Sequence, residues 1–153
     1  MKIVVDSDSC PRLAREIVVR ASQRTGIRAF FVANRVIPGI QGGTVFMEVC
    51  APEPGAADDR IVELAEPGDI AVTRDIPLAH RLIEASVLTV DDRGRVFTKE
   101  NIRNLLSIRN FVVGLAENGL GPERIAHYTR KEVKIFADSF DRLLAHRMGE
   151  IKR

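Results

Sequence analysis

The sequence predicts a single α/β domain, with a mostly parallel central sheet of about five strands and helices on both faces. Three observations carry that expectation. Short unbroken apolar runs such as "KIVV" (2–5), "DIAVT" (69–73) and "VLTV" (87–90) have the length and hydrophobicity of strands buried on both sides. Between them lie longer stretches whose apolar residues recur at helical intervals. Proline and glycine mark the boundaries. Strands that alternate with helices build a parallel sheet, because each parallel connection must cross a face of the sheet.

The elements follow in order. After "KIVV" come Asp6 and Asp8, then "SCPRLAREIVVRASQRTG". Pro11 suits the first helical position, Leu13, Ile17 and Ala21 fall four apart, and Gly26 supplies a stop. "IRAFFVAN" (27–34) is the second strand, and a Gly-rich connection leads to the third, "TVFMEV" (44–49). "AADDRIVELAEPG" reads as a helix with Asp58 and Asp59 in its first turn and Pro67-Gly68 at its end. Pro77 opens the helix after the fourth strand, with Leu78, Leu82 and Ile83 as its apolar stripe. After the fifth strand, "DDRGR" is a turn and Thr98 caps the long helix "KENIRNLLSIRNFVVGLAENG". Thr129 and Glu132 have capping-box spacing at the start of the last helix, whose stripe includes Val133, Phe136, Phe140 and Leu144. Residues 1–148 form the expected domain, and the tail "GEIKR" (149–153) is expected to fray.

Composition bounds the function. The chain has 153 residues, 45% of them apolar, which suits one globular domain. No stretch approaches the roughly 18 apolar residues of a membrane span, so no membrane partner is expected. The N-terminus does not read as a signal peptide, because Asp6 interrupts its apolar run. Cys10 and Cys50 are too few for a disulfide scaffold and lack metal-ligand spacing, which points to a reducing cytoplasm. Net charge is only +2, yet 18 of the 23 basic residues are Arg. The guanidinium fork suits phosphate oxygens, although Arg-favouring codon usage accounts for the excess as well.

The acids carry the chemistry. In open α/β sheets, ligands collect beyond the carboxyl ends of the strands, where the strand order reverses. Asp6 and Asp8 follow the first strand and Asp75 the fourth, while Asp58 and Asp59 open a helix. If the first and fourth strands are neighbours, these carboxylates converge. Two carboxylates ~5 Å apart at an effective dielectric of ~20 repel by roughly 3 kcal/mol, so a group of them calls for a cation. Oxygen donors suit Mg²⁺ or Mn²⁺, which can activate water and neutralise a phosphoryl group in transit. The plain alternative for any single Asp is a turn or a cap. Asp91 and Asp92, after the fifth strand, are possible outliers.

Three segments, "VDSDSCP", "AADDRIVELAEPGDIAVTRDIPLA" and "DRGRVFTKENIRNLLSIRNF", resemble the YaiI/YqxD family of uncharacterised bacterial and archaeal proteins. The resemblance runs from residue 2 to about residue 144, and its central block is long and specific. That family is placed among PIN-like nuclease domains. The resemblance therefore implies a PIN-like fold whose acidic pocket binds Mg²⁺ or Mn²⁺ and cuts phosphodiester bonds of RNA or DNA. It assigns the acids to Asp6, Asp8, Asp58 and Asp75, with Asp59 at a position the family also fills with Asn. Asn34 and Arg109 match positions near the pocket mouth. Asn110 stands where the family often has Asp, which removes an acid from the late helix.

In the expected mechanism Asp6 and Asp75 are the principal ligands and Asp58 completes the shell. Asp8 or Asp59 orients the water or a second ion. Arg74, together with Arg93, Arg95, Lys99 and Arg103, holds the nucleic-acid backbone, unless that basic stretch is only a solvated surface. Three other readings stand beside this one. A non-catalytic domain that binds nucleic acid or protein would keep the same acids, and the near-neutral charge leans that way. "VVDSD" also resembles the start of haloacid-dehalogenase-like phosphatases, but Cys10-Pro11 follows and all five Lys lie at the termini or on the late helices. "GIQGG" (39–43) lacks the ending of a phosphate loop and reads as a turn. Cys10 reads as a packing residue, and His80, His127 and His146 as isolated side chains.

Overall fold

The apolar runs become strands β1 (Ile3–Asp6), β2 (Ala29–Ala33), β3 (Val45–Val49), β4 (Ile70–Val72) and β5 (Leu88–Val90). A sixth, two-residue strand, β6 (Val96–Phe97), was not expected. The helices are α1 (Arg12–Thr25), α2 (Ala56–Leu64), α3 (Ile76–Glu84), α4 (Lys99–Glu117) and α5 (Arg130–Lys152). The structure is a computed structural model that describes residues 1–117 and 128–152. The expected end of α4 at Asn118-Gly119 and the isolated His127 lie outside the described residues.

The strands pair in the order β3-β2-β1-β4-β5-β6. β1 to β5 are parallel and β6 runs antiparallel to β5. The order reverses between β1 and β4, which are neighbours, with Val5 opposite Val72. Alternation along the strands divides the core. Ile3 and Val5 pack with Phe31, Val72 and the inner faces of α1 and α5, where Phe136, Phe140 and Leu144 are buried. Val4 and Val32 face the other way, against Ile61 of α2 and Leu78 and Leu82 of α3. α4 packs outboard, its Ile102 against Ala79, Ile83 and Phe97.

The capping chemistry follows the sequence with small shifts. Pro11 is the N-cap of α1 rather than its first residue, and makes no side-chain cap bond. α3 begins at Ile76, one residue before Pro77, because Asp75 caps it by accepting the N–H of Leu78 at 3.0 Å. Thr98 and Asn101 form a reciprocal box, with Asn101 N–H on Thr98 Oγ1 at 3.0 Å and Thr98 N–H on Asn101 Oδ1 at 2.8 Å. Glu132 accepts the N–H of Thr129 at 2.8 Å, as the spacing predicts. α5 continues to Lys152, past the point where the tail was expected to begin.

The "DDRGR" turn is clasped by α5. Asp91 is buried and accepts the N–H groups of Arg93 and Arg95, both at 2.9 Å, which folds the turn on itself. Tyr128 donates its hydroxyl to the carbonyl of Asp92 at 2.6 Å, and Ser139 donates to that of Gly94 at 2.8 Å. Gly94 has φ +87, and a Cβ there would lie 2.9 Å from the backbone oxygen of Ile135. Both the left-handed backbone and the close approach require glycine. Gly94→Ala is therefore expected to lower stability by about 3 kcal/mol, read as a lower urea midpoint. A loss under about 0.5 kcal/mol would mean that the turn and α5 do not meet this closely.

Candidate acidic site

β1 and β4 deliver their acids to one place. Asp6, Asp8, Asn34, Asp58 and Asp75 line one cavity of about 250 Å³ beyond the carboxyl ends of the strands, joined by Ser9, Gly55 and Ala57. Asp6 is the last residue of β1 and is buried. Its Oδ2 accepts the hydroxyls of Thr73 at 2.7 Å and Ser9 at 2.9 Å. Thr73 Oγ1 in turn accepts the N–H of Asp75 at 3.0 Å. A two-bond relay thus ties the acid after β4 to the acid ending β1. Asp75 Oδ1 caps α3, and Asp8 Oδ2 accepts the N–H of Asn34 at 2.9 Å, which joins the first loop to the end of β2. Each of the three acids hydrogen-bonds the scaffold through one carboxylate oxygen.

Asp58 reaches the cavity from the first turn of α2, whose N-cap Gly55 has a φ of 84. Its carboxyl is pushed up to about 6, first by burial and then by the charges of Asp75 and Asp6. Burial also raises Asp6, against the lowering bonds from Thr73 and Ser9, and the charges of Asp75 and Asp8 add to the rise. The cluster therefore resists full ionisation, as expected of acids held together without a counter-charge.

A stability consequence follows. An acid whose folded pKa lies above its unfolded value contributes stability below the unfolded pKa, and that stability is lost as pH rises through the folded one. For Asp58 the window runs from 3.8 to about 6. Without divalent ions, the stability of the wild type minus that of Asp58→Asn is expected to fall by on the order of 1 kcal/mol between pH 4 and pH 7. That figure allows for solvent screening of a half-exposed group. Urea titrations of both proteins across that range, in chelator, read this difference. A flat difference would mean that Asp58 titrates as a free carboxyl.

Other expected residues lie elsewhere. Asp59 is exposed and pairs with Arg81 at 3.0 Å, so it does not line the cavity. Arg74 is held at 2.5 Å by Asp92, which is buried. Arg93 lies 3.7 Å from Glu132 and over the ring of Tyr128. Arg95, Lys99, Arg103 and Arg109 are exposed and do not line the cavity. Arg109 donates to its neighbour Asn110 at 3.3 Å. Asp91 and Asp92 are structural, as is Cys10: burial pushes its thiol up to about 12, too high for a nucleophile at neutral pH. Lys2 pairs with Asp69 at 2.7 Å and Glu66 at 3.1 Å at the amino ends of the central strands, so the phosphatase reading finds no amine in the cavity.

Thr73 and Ser9 were missed by the sequence reading. The signal for Thr73 was "TRD", a hydroxyl at a strand end two residues before an acid.

The donors present are hard oxygens, the chemistry that suits Mg²⁺ or Mn²⁺. Among the described residues, no group of three or more His, Cys, Asp or Glu is arranged to hold a metal ion directly. The cavity is large enough for an ion that keeps its waters, since six waters occupy roughly 180 Å³ at ~30 Å³ each. The fit is to a hydrated ion. Among the described residues, no helix is long and apolar enough to cross a membrane.

A family model described as "Uncharacterized BCR, YaiI/YqxD family" matches residues 4–146. A protein named UPF0178 from Treponema pallidum is 46% identical over 142 residues, covering 93% of this chain and 80% of its own. A relative of the same name from Treponema denticola is 43% identical, covering 95% and 92%. Another from Vibrio atlanticus is 40% identical, covering 96% of this chain and all of its own. No solved structure matches.

Proposed function

The chain belongs to the YaiI/YqxD family, and from that premise we propose that its acidic cavity serves hydrolysis of phosphodiester bonds in RNA or DNA, with a divalent cation as cofactor. The single observation that carries this reading is the convergence of Asp6, Asp8, Asp58 and Asp75 on one cavity at the point where strand order reverses. The same geometry supports a PIN-like assignment of the fold. Two free thiols and no disulfide among the described residues suit a reducing cytoplasm.

Asp6 and Asp75 are the principal holders of the cation, with Asp58 completing the set. When bound, Mg²⁺ or Mn²⁺ would supply charge neutralisation at the phosphoryl group and a more acidic water. The chain's own residues do the rest. Thr73 and Ser9 fix the Asp6 carboxylate through its Oδ2, leaving Oδ1 for a water or ion. Without a cation Asp58 is protonated more readily than an ordinary carboxyl, so binding of the ion would be accompanied by loss of that proton. Asp8 and Asn34 hold the mouth of the cavity together.

The test is cleavage of single-stranded RNA, single-stranded DNA and branched DNA by pure protein. Activity is expected with Mg²⁺ or Mn²⁺ and none in chelator. No cleavage of any substrate with either ion would overturn the hydrolytic reading. One observation favours a second reading, binding without cleavage: the acids do not close into a direct metal site. It predicts cation-independent binding of nucleic acid or protein with no product.

A further inference from the structure

A second cavity, of about 400 Å³, lies between α1 and the connection from β2 to β3. Arg12, Arg15 and Arg20 line it with one acid, Glu16, above an apolar floor that includes Pro38 and Ile40. Arg12 approaches Glu16 at 3.8 Å and is largely exposed. Arg15 donates to the carbonyl of Cys10 at 2.5 Å, which aims it toward the start of the helix. Among the described residues, Arg15 and Arg20 form no ion pair with an acid. Three arginines against one glutamate leave the cavity an excess of two positive charges. By contrast, Arg74 and Arg93 of the basic residues first expected to grip a backbone are ion-paired.

Two stretches of chain contribute residues to both cavities. Ser9 lines the acidic one and Arg12 the basic one, three residues later. Asn34 lines the acidic one and Pro38 the basic one, four residues later. At ~3.6 Å per residue the Cα atoms of Ser9 and Arg12 lie no more than roughly 11 Å apart, and those of Asn34 and Pro38 no more than roughly 14 Å. A strand of a few nucleotides covers such a distance.

We propose that the cavity of Arg12, Arg15 and Arg20 binds the phosphates of a single nucleic-acid strand, with its apolar floor against a base or sugar, and so feeds that strand to the acidic cavity. Guanidinium forks grip phosphate oxygens bidentately, and an aliphatic floor accepts any base without reading it. The inference rests on the phosphodiester reading for the strand's destination, but the binding stands by itself.

The experiment is fluorescence anisotropy of a short single-stranded oligonucleotide in chelator, where nothing is cut. Arg12→Gln/Arg20→Gln is expected to weaken binding about tenfold and to flatten the slope of log K against log salt by about 1.4, two contacts at ~0.7 each. Both side chains are exposed, so folding is not at stake. Arg24→Gln, on the same helix but paired with Asp141 at 3.3 Å, is expected to change affinity less than twofold. If the protein cuts nothing yet the arginine variant loses binding, the hydrolytic reading falls and this one stands. Unchanged affinity and slope in Arg12→Gln/Arg20→Gln, or an equal loss in Arg24→Gln, would overturn it. So would a mononucleotide bound as tightly as the oligonucleotide, which would make the ligand a free nucleotide.

Discussion

Asp6→Asn is expected to reduce metal-dependent cleavage about a thousandfold, close to 4 kcal/mol of lost transition-state stabilisation. The substitution is clean because an amide oxygen can still accept the hydroxyls of Thr73 and Ser9 that fix the wild-type side chain. What disappears is the buried charge. Burial already opposes that charge, so the variant should fold at least as well as the wild type. Equal cleavage by Asp6→Asn and wild type would remove the cavity from the chemistry, whatever its acids do for the fold.

The second large effect is on stability. Saturating Mg²⁺ or Mn²⁺ at 100 times its dissociation constant is expected to add roughly 2.7 kcal/mol, a rise in Tm of about 5 to 11 °C for a chain of this size. Asp75→Asn should abolish that rise without harming the metal-free protein. Asn caps a helix as well as Asp does, so the bond from Leu78 N–H is kept. Scanning calorimetry of wild type and variant, with ion and with chelator, reads both quantities. An undiminished rise in Asp75→Asn would assign the cation elsewhere.

Much of this was legible in the sequence, for identifiable reasons. Strands β1, β2, β4 and β5 were readable because burial on both faces leaves them unbroken and apolar, and helix ends because Gly26 and the Thr129–Glu132 box act locally. The adjacency of β1 and β4, and with it the meeting of Asp6 and Asp75, followed from the habit of α/β sheets. β6 was invisible because two residues, Val96 and Phe97, carry no period. Long-range pairing was hidden too. Arg74 beside Asp75 looked free for a ligand, yet Asp92, 18 residues later, holds it. Asp59 was expected to orient the water or a second ion beside Asp58, yet one helical step turns it out to Arg81. The cavity over the arginines of α1 had no local signature either, because the β2–β3 connection that closes it lies far along the chain.

The most direct measurement is anomalous diffraction from a crystal grown with Mn²⁺. The account predicts a manganese peak inside the cavity lined by Asp6, Asp58 and Asp75, bound to at least one of these carboxylates directly or through its waters. Saturating Mn²⁺ that leaves this cavity without a peak, or a peak held only by residues outside it, would contradict the account.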